Sequence, residues 1–165
     1  MKKMAIYYLL MGFLIAACST DKMADNGIDG IIGTWELTAL EINDGSASSE
    51  AEFAQDILDV LSASDCYLLT LIFNEDLTLV TQDATNYLEI GVNSSGTGLD
   101  VPCPVQRDTF TTSYTYVEGT LTFTDENQQS VTVDALINGN TMVISARDLA
   151  VENFNSEGNL VFSRR

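Results

Sequence analysis

Residues 31–40 read Ile-Ile-Gly-Thr-Trp-Glu-Leu-Thr-Ala-Leu, and the β-rich part of the chain begins here. Gly33 and the only tryptophan stand two positions apart at the start of a run in which apolar and polar residues alternate. Such alternation is typical of a strand with one buried face. That face carries Trp35, Leu37 and Ala39. Because Leu40 and Ile42 continue the apolar pattern on the opposite face, we expect a β-bulge near Ala39.

The rest of the chain contains further short runs with a period of two residues, separated by turn residues. This pattern predicts an all-β sandwich or barrel of eight or nine mostly antiparallel strands. The further predicted strands are residues 67–73, 77–82, 87–93, 109–117, 120–124, 130–136 and 141–146, and a last one around Leu160 and Phe162. Asn138-Gly139 is the strongest hairpin signal. An antiparallel sheet of this size leaves open edges unless it closes into a barrel, whose interior holds side chains or one small ligand.

Residues 46–65 interrupt the strands and predict one amphipathic helix from Glu50 to Ser62. Ser49 and Glu52 form a capping box at its start. Its predicted apolar face carries Phe53, Ile57, Val60 and Leu61. The helix either covers one end of the β-structure or binds a partner. Packing on its own barrel is favoured, because an apolar helix face of this width is usually buried.

The first 17 residues have the layout of an export signal. Lys2 and Lys3 give a positive start, and residues 5–17 form an apolar run that is short for a membrane-spanning helix. Residues 18–30 are small, polar and glycine-bearing, which predicts a flexible tether. The predicted organisation is therefore a signal peptide (1–17), a tether (18–30) and a β-barrel domain (31–165).

The end of the export signal, Leu14-Ile15-Ala16-Ala17-Cys18, resembles the lipobox of bacterial lipoproteins. The resemblance implies cleavage before Cys18 and lipidation of its sulfur, which would anchor the protein to a membrane. Ser19 follows, where an aspartate would retain such a lipoprotein at the inner membrane, so the resemblance implies the outer membrane with its face left open. The alternative is an ordinary signal peptide with a chance cysteine.

The composition limits the kinds of partner, catalytic site and metal site that the protein can have. With 165 residues, 45% of them hydrophobic, the chain is long enough for one domain with its own core. It has 24 acidic residues, 7 basic residues and no histidine, which argues against nucleic acid as a partner. Without histidine there is no Ser-His-Asp triad and no imidazole ligand, and two cysteines besides Cys18 are too few for a zinc site. We expect no enzyme activity, no cofactor, no metal and a monomer.

Four motifs in order resemble the lipocalin-like domains of bacterial lipoproteins: G-T-W, N-E-D, Y-T-Y-V-E-G-T-L-T-F and V-F-S-R-R. The likeness covers residues 31–165 and implies an eight-stranded antiparallel up-and-down barrel. The helix after the first strand is one departure from the pattern. Leu77 is another, since relatives often carry glycine at this place in the first hairpin. The turn must therefore differ, or Leu77 must accept strain of about 1 kcal/mol or more.

The resemblance and the strand pattern predict how the barrel closes. Alternation through Leu160 and Phe162 puts Arg164 on the inward side of the last strand. If the last strand pairs with the first, Arg164 meets Gly33 and Trp35, and lipocalins place an arginine over this tryptophan. The competing interpretation is a frayed C-terminus.

Cys66 and Cys103 are predicted to form a disulfide. Export places both residues in an oxidising compartment, and they are the two cysteines left after lipidation of Cys18. Relatives with cysteines at these places support the pairing. Two separate buried thiols remain the alternative.

Two functions from different classes are consistent with the sequence. In the first, a lipid-anchored barrel binds a small apolar or amphipathic ligand, with Trp35, Phe110, Tyr114 and Tyr116 lining the site. In the second, the barrel is filled, these aromatic residues are core, and the protein acts on an envelope partner through its loops or helix. The interior volume distinguishes them, because a ligand site needs an empty cavity of a few hundred Å³.

Overall fold

A computed structural model describes residues 30–42, 47–149 and 158–165. The predicted signal peptide, Cys18 and the tether up to residue 29 lie outside the described residues. The strands are β1 (Gly33–Glu41), β2 (Leu69–Phe73), β3 (Thr78–Asp83), β4 (Gly91–Val92), β5 (Leu99–Asp100), β6 (Asp108–Val117), β7 (Thr120–Thr124), β8 (Ser130–Asn138), β9 (Thr141–Ser145) and β10 (Asn159–Arg164). The helices are α1 (Ser49–Ser62), a 3₁₀ turn (Thr85–Tyr87) and the short α2 (Ala146–Leu149).

Eight of these strands form a closed barrel in the order β1-β10-β9-β8-β7-β6-β3-β2, and every neighbouring pair is antiparallel. Closure removes the sheet edges that would otherwise be free to pair with another chain. The predicted fold class, an eight-stranded barrel with one helix after the first strand, is therefore confirmed.

The barrel has two ends that differ in their connections. At one end, here called the closed end, β1 begins and β10 finishes, and the neighbouring strands are joined by tight turns. At the other end, the mouth, the connections are longer and carry α1, α2 and residues 84–107. The inward side chains are apolar and buried along most of the barrel, as the alternation predicts.

The predicted bulge lies in β1. Leu37 pairs with Phe162, but the next pair joins Ala39 to Val161, so Thr38 is the extra residue. Because the bulge restores the phase, Leu37 and Leu40 are both buried. The apolar residues of β1 switch from odd-numbered to even-numbered positions after Ala39. This switch therefore marks the bulge in the strand and not a second buried face.

Helix α1 packs against the part of β1 that β2 does not reach. Strand β2 pairs only with Gly33–Glu36, and beyond that point the helix supplies the hydrogen bonds. Ser62 Oγ donates to the Thr38 carbonyl at 2.6 Å, and Gln55 Nε2 donates to the Leu40 carbonyl at 2.9 Å. The helix thus satisfies backbone groups that a strand edge would leave exposed.

Two details of the helix prediction are wrong. The N-cap is Ser48, whose Oγ accepts a hydrogen bond from the Ala51 amide, so Ser49 is the first helical residue. The buried face is also rotated: Phe53 and Val60 are 44% and 39% exposed. The buried residues are Ala51, Ala54, Ile57, Leu58 and Leu61. The contacts with β1 set this rotation, and the hydrophobic pattern of the helix alone does not reveal those contacts.

The predicted strand at residues 87–93 is largely absent. Asp83 Oδ1 accepts hydrogen bonds from the Thr85 amide and hydroxyl at 2.8 and 2.7 Å, which turns the chain at the end of β3. The 3₁₀ turn follows, and only Gly91–Val92 is extended, paired with β5 in a separate two-stranded sheet. Residues 84–107 therefore leave the barrel and return at β6.

The first hairpin turn could differ from that of relatives or place strain on Leu77, and the structure shows the strain. Its φ is +64°, in the left-handed region that favours glycine. The turn is fixed by Asp76 Oδ1, which accepts hydrogen bonds from the Thr78 amide and hydroxyl at 3.1 and 2.6 Å. The hydrogen bonds from Thr78 also hold the pKa of Asp76 below its usual value.

Replacing Leu77 by glycine should therefore leave the protein equally stable or stabilise it by about 1 kcal/mol, because the strain is relieved. Urea unfolding measures this. The matched control is Leu136→Gly, at an exposed position of β8, which should cost about 0.5–1 kcal/mol. Equal losses in the two variants would show that the turn at Leu77 stores no strain.

Candidate functional site

The closed end of the barrel is packed solid. Trp35, Phe73 and Phe162 are fully buried there, and the Phe73 and Tyr114 rings meet edge to face at 5.0 Å. The Trp35 indole nitrogen donates to the Ile31 carbonyl at 2.7 Å, so its one polar group is satisfied. This half of the interior has no room for a ligand.

Arg164 covers the tryptophan at this end. Its guanidinium carbon lies 4.4 Å from the centre of the Trp35 ring, close enough for a cation–π contact. Arg164 Nη2 donates to the Gly30 carbonyl at 2.6 Å and Nη1 to the Ile32 carbonyl at 3.2 Å. The structure thus brings together the three residues predicted to close the barrel: Gly33, Trp35 and Arg164.

Arg164→Ala should lower the melting temperature by several degrees and shift the Trp35 fluorescence, because it removes the cation–π contact, worth about 0.5–2 kcal/mol, and two hydrogen bonds. Arg165→Ala is the matched control. The Arg165 side chain is 77% exposed and pairs only with Glu36, at 3.2 Å, so its removal should change neither measurement. Equal effects in the two variants would mean that Arg164 does not close the barrel.

Tyr114 and Tyr116 belong to the core rather than to a ligand site. Both are buried, and their hydroxyls donate to the carbonyls of Asn74 at 3.2 Å and of Ala135 at 3.1 Å. Burial raises the pKa of both phenols. Trp35 is likewise core. Among the four predicted ligand-contacting residues, Phe110 alone is partly exposed, at an inward position of β6.

The mouth half of the interior is not filled. A cavity of about 340 Å³, here called the mouth cavity, opens at this end. Its apolar wall consists of Leu69, Leu71, Phe123, Val131 and Leu149. Its acidic residues are Asp83, Asp108, Asp125, Glu126 and Asp148. The volume lies in the lower part of the range found for small-molecule sites.

Hydrogen bonds fix three of these carboxylates. Asp83 is held by Thr85, as described above. Asp108 accepts hydrogen bonds from the Tyr87 hydroxyl at 2.8 Å and from the Asn86 side-chain amide at 3.1 Å. Asp125 accepts a hydrogen bond from the Gln129 backbone amide at 2.7 Å. The bonds from Asn86 and Tyr87 hold the pKa of Asp108 below its usual value. Asp108 is therefore ionised at neutral pH. The hydrogen bond that Tyr87 donates to Asp108, together with the negative charge of Asp108, raises the pKa of Tyr87.

Besides the hydrogen bonds of Thr85, Asn86 and Tyr87, two further links near its end hold the segment of residues 84–107 beside the mouth. The predicted disulfide between Cys66 and Cys103 is confirmed, with the two Cα atoms 5.8 Å apart. Four residues later, Arg107 Nη1 donates to the Tyr67 carbonyl at 2.7 Å. Because Asn86 and Tyr87 lie in this segment, the two links help to position Asp108.

Sequence reasoning missed the residues of the mouth cavity, although a signal was present. On the inward face of β3, Leu79 is followed by Thr81 and Asp83, and on β6 the inward series begins with Asp108. Polar residues at inward positions near one end of the strands indicate that this end is not filled with apolar side chains. The inward aromatic residues form a clearer pattern in the sequence, so a ligand site predicted from them falls among core residues.

Other clefts lie outside the barrel. One groove of about 360 Å³ lies between α1 and the segment after β3, lined by Phe53, Ile57, Leu88 and Ile90 among others. Within residues 30–42, 47–149 and 158–165, no helix is long and apolar enough to cross a membrane. The same residues contain no group of three or more acidic or cysteine side chains placed to hold a metal ion.

The closed barrel, packed at one end and open to a cavity at the other, defines a small antiparallel β-barrel protein. A sequence model of the lipocalin-like domain matches residues 31–144, and the chain belongs to this family. Comparison with curated proteins and with solved structures gives no match.

Proposed function

We propose that this chain is a lipid-anchored lipoprotein of the cell envelope whose barrel binds a small apolar or amphipathic ligand in the mouth cavity. The observation that carries the proposal is the uneven interior. The closed end is packed around Trp35, whereas the mouth keeps about 340 Å³ lined by both apolar and acidic side chains. A filled barrel acting only through its surface would not need this space. We also propose that the protein acts as a monomer, which the lining of the mouth cavity by a single barrel supports.

A fluorescent probe tests the ligand site. N-phenyl-1-naphthylamine is uncharged at neutral pH, and its emission rises when it enters an apolar cavity. We expect saturable enhancement with the wild-type protein. Val131→Trp, which fills the cavity from an inward position of β8, should abolish it.

Leu136→Trp is the matched control, because Leu136 points outward on the same strand and is 66% exposed. It should bind the probe as the wild type does, and circular dichroism should show that both variants are folded. Absence of saturable binding, or equal binding by the two tryptophan variants, would contradict a site in the mouth. Binding lost only when Phe53 or Ile90 is changed would favour the groove beside α1 and the alternative function, interaction with an envelope partner.

The membrane anchor rests on the sequence of the export signal. Cys18→Ala should move the protein from the membrane fraction to the soluble fraction, because the acyl chains that would hold it at the membrane cannot be attached. Sucrose-gradient fractionation measures this and tests the proposed outer-membrane location at the same time. A Cys18→Ala variant that keeps the wild-type fractionation would rule out lipidation of this residue.

A further inference from the structure

The charged side chains that line the mouth cavity are all acidic. Five carboxylates line it, and no lysine or arginine does. Three of the four described arginines are engaged elsewhere: Arg164 and Arg165 at the closed end, and Arg107 with the Tyr67 carbonyl. The fourth, Arg147, precedes Asp148 on α2 but is exposed and does not line the cavity. The one salt bridge among the described residues is between Arg165 and Glu36, so none of the mouth carboxylates forms a salt bridge within the described part of the chain.

The carboxylates are held in place although they repel each other. Asp83 and Asp108 are direct partners across the β3–β6 pair, an arrangement that is destabilising for two like charges. Neutral donors fix both of them, namely the side chains of Thr85, Asn86 and Tyr87. These donors orient the carboxylates but supply no positive charge. A bound cation would therefore add an attraction that the described lining of the cavity does not provide.

The walls of the cavity decide which kind of cation fits. A divalent metal needs several oxygen ligands converging on one point, and the described residues contain no such group. The carboxylates instead surround an apolar floor that includes Leu69, Leu71 and Phe123. This combination matches a molecule with an apolar body and a cationic head, whose head can also lie against an aromatic ring.

We propose that the mouth cavity selects amphipathic cations, such as alkyl amines, over neutral or anionic amphiphiles with the same tail. This selectivity rests on the proposed function, since it assumes that the mouth cavity is the ligand site. The apolar residues of the cavity bind the tail of the ligand, and the carboxylates add a preference for a positively charged head. The formal net charge of the whole chain, −17, would also attract such a ligand at long range.

Three probes with one tail length separate charge from apolar contact: octylamine, octanol and octanoate, each measured by displacement of N-phenyl-1-naphthylamine from the full barrel. At low ionic strength octylamine should bind about tenfold more tightly than octanol, as expected from two or three partly exposed ion pairs, and octanoate should bind most weakly. Added salt should reduce the advantage of octylamine and leave octanol unchanged.

The double variant Glu126→Gln/Asp148→Asn removes two of the five carboxylates, so it should lose a measurable part of the octylamine advantage and keep the affinity for octanol. Both residues are exposed, and no hydrogen bond to either is part of the described fold. The control Glu75→Gln/Glu118→Gln removes the same charge from turns at the closed end and should behave as the wild type does.

Equal affinities of wild type for octylamine and octanol would overturn the charge selectivity while leaving the ligand site in place. Equal losses in the two double variants would also overturn it, because the effect would then come from net charge alone. Displacement by calcium chloride at micromolar concentration would assign the carboxylates to a metal instead. If none of the three amphiphiles displaces the probe, the proposed function fails together with its selectivity.

Discussion

Trp35→Ala is expected to lower the free energy of unfolding by about 3–5 kcal/mol. Trp35 is fully buried at the closed end, where its ring packs beneath the Arg164 guanidinium and its nitrogen bonds the Ile31 carbonyl. Alanine would leave a cavity where these contacts are and would remove the ring on which Arg164 rests. The surrounding strands cannot collapse into the space, because the barrel is closed by continuous pairing.

Urea unfolding followed by circular dichroism measures this loss, since the variant has no tryptophan to report by fluorescence. Val117→Ala is the control: Val117 points outward on β6, is well exposed, and should lose less than about 1 kcal/mol. If Trp35→Ala costs no more than Val117→Ala, the closed end is not the stable core that the structure describes.

Loss of the Cys66–Cys103 disulfide is expected to destabilise the protein by about 3–4 kcal/mol, from the chain entropy of a loop of this length. The two cysteines are 37 residues apart, and the bond ties residues 84–107 to the start of β2. The Arg107 bond to the Tyr67 carbonyl is the other tie described above. We therefore expect local opening of this segment before the barrel itself unfolds.

The double variant Cys66→Ser/Cys103→Ser, made in a Cys18→Ala background, tests this by thermal unfolding. Dithiothreitol should lower the melting temperature of the Cys18→Ala parent to that of the double variant and should not affect the double variant. Two reactive thiols in the unfolded, unreduced parent would show that the bond is absent. Probe binding in the mouth should also weaken on reduction, because local opening of residues 84–107 loosens the hold of Asn86 and Tyr87 on Asp108.

The sequence predicted the barrel because its strands are consistent at several levels. Alternation, tight turns and the phase change near Ala39 all indicate the same pairing, and the structure places the bulge at Thr38. The helix shows the limit of such reasoning. Its existence follows from its own residues, but its rotation depends on Ser62 and Gln55 bonding the carbonyls of β1, which is a tertiary contact.

The candidate site was harder to predict than the fold. An aromatic residue at an inward position can be core or lining, and Tyr114 and Tyr116 become core because their hydroxyls find carbonyl partners inside the barrel. The mouth cavity instead arises where inward positions turn polar, at Thr81, Asp83 and Asp108. The sequence contains those residues, but only the strand register shows that they meet at one end.

The central claim is that this lipocalin-like barrel binds its ligand in the mouth cavity, and methyl NMR of the labelled protein with octylamine tests it most directly. We predict saturable shifts of the Leu69, Leu71 and Val131 methyl signals, with those of Leu79 and Met142 in the packed interior unchanged. Shifts confined to the groove beside α1, or no saturable shifts at all, would contradict the claim.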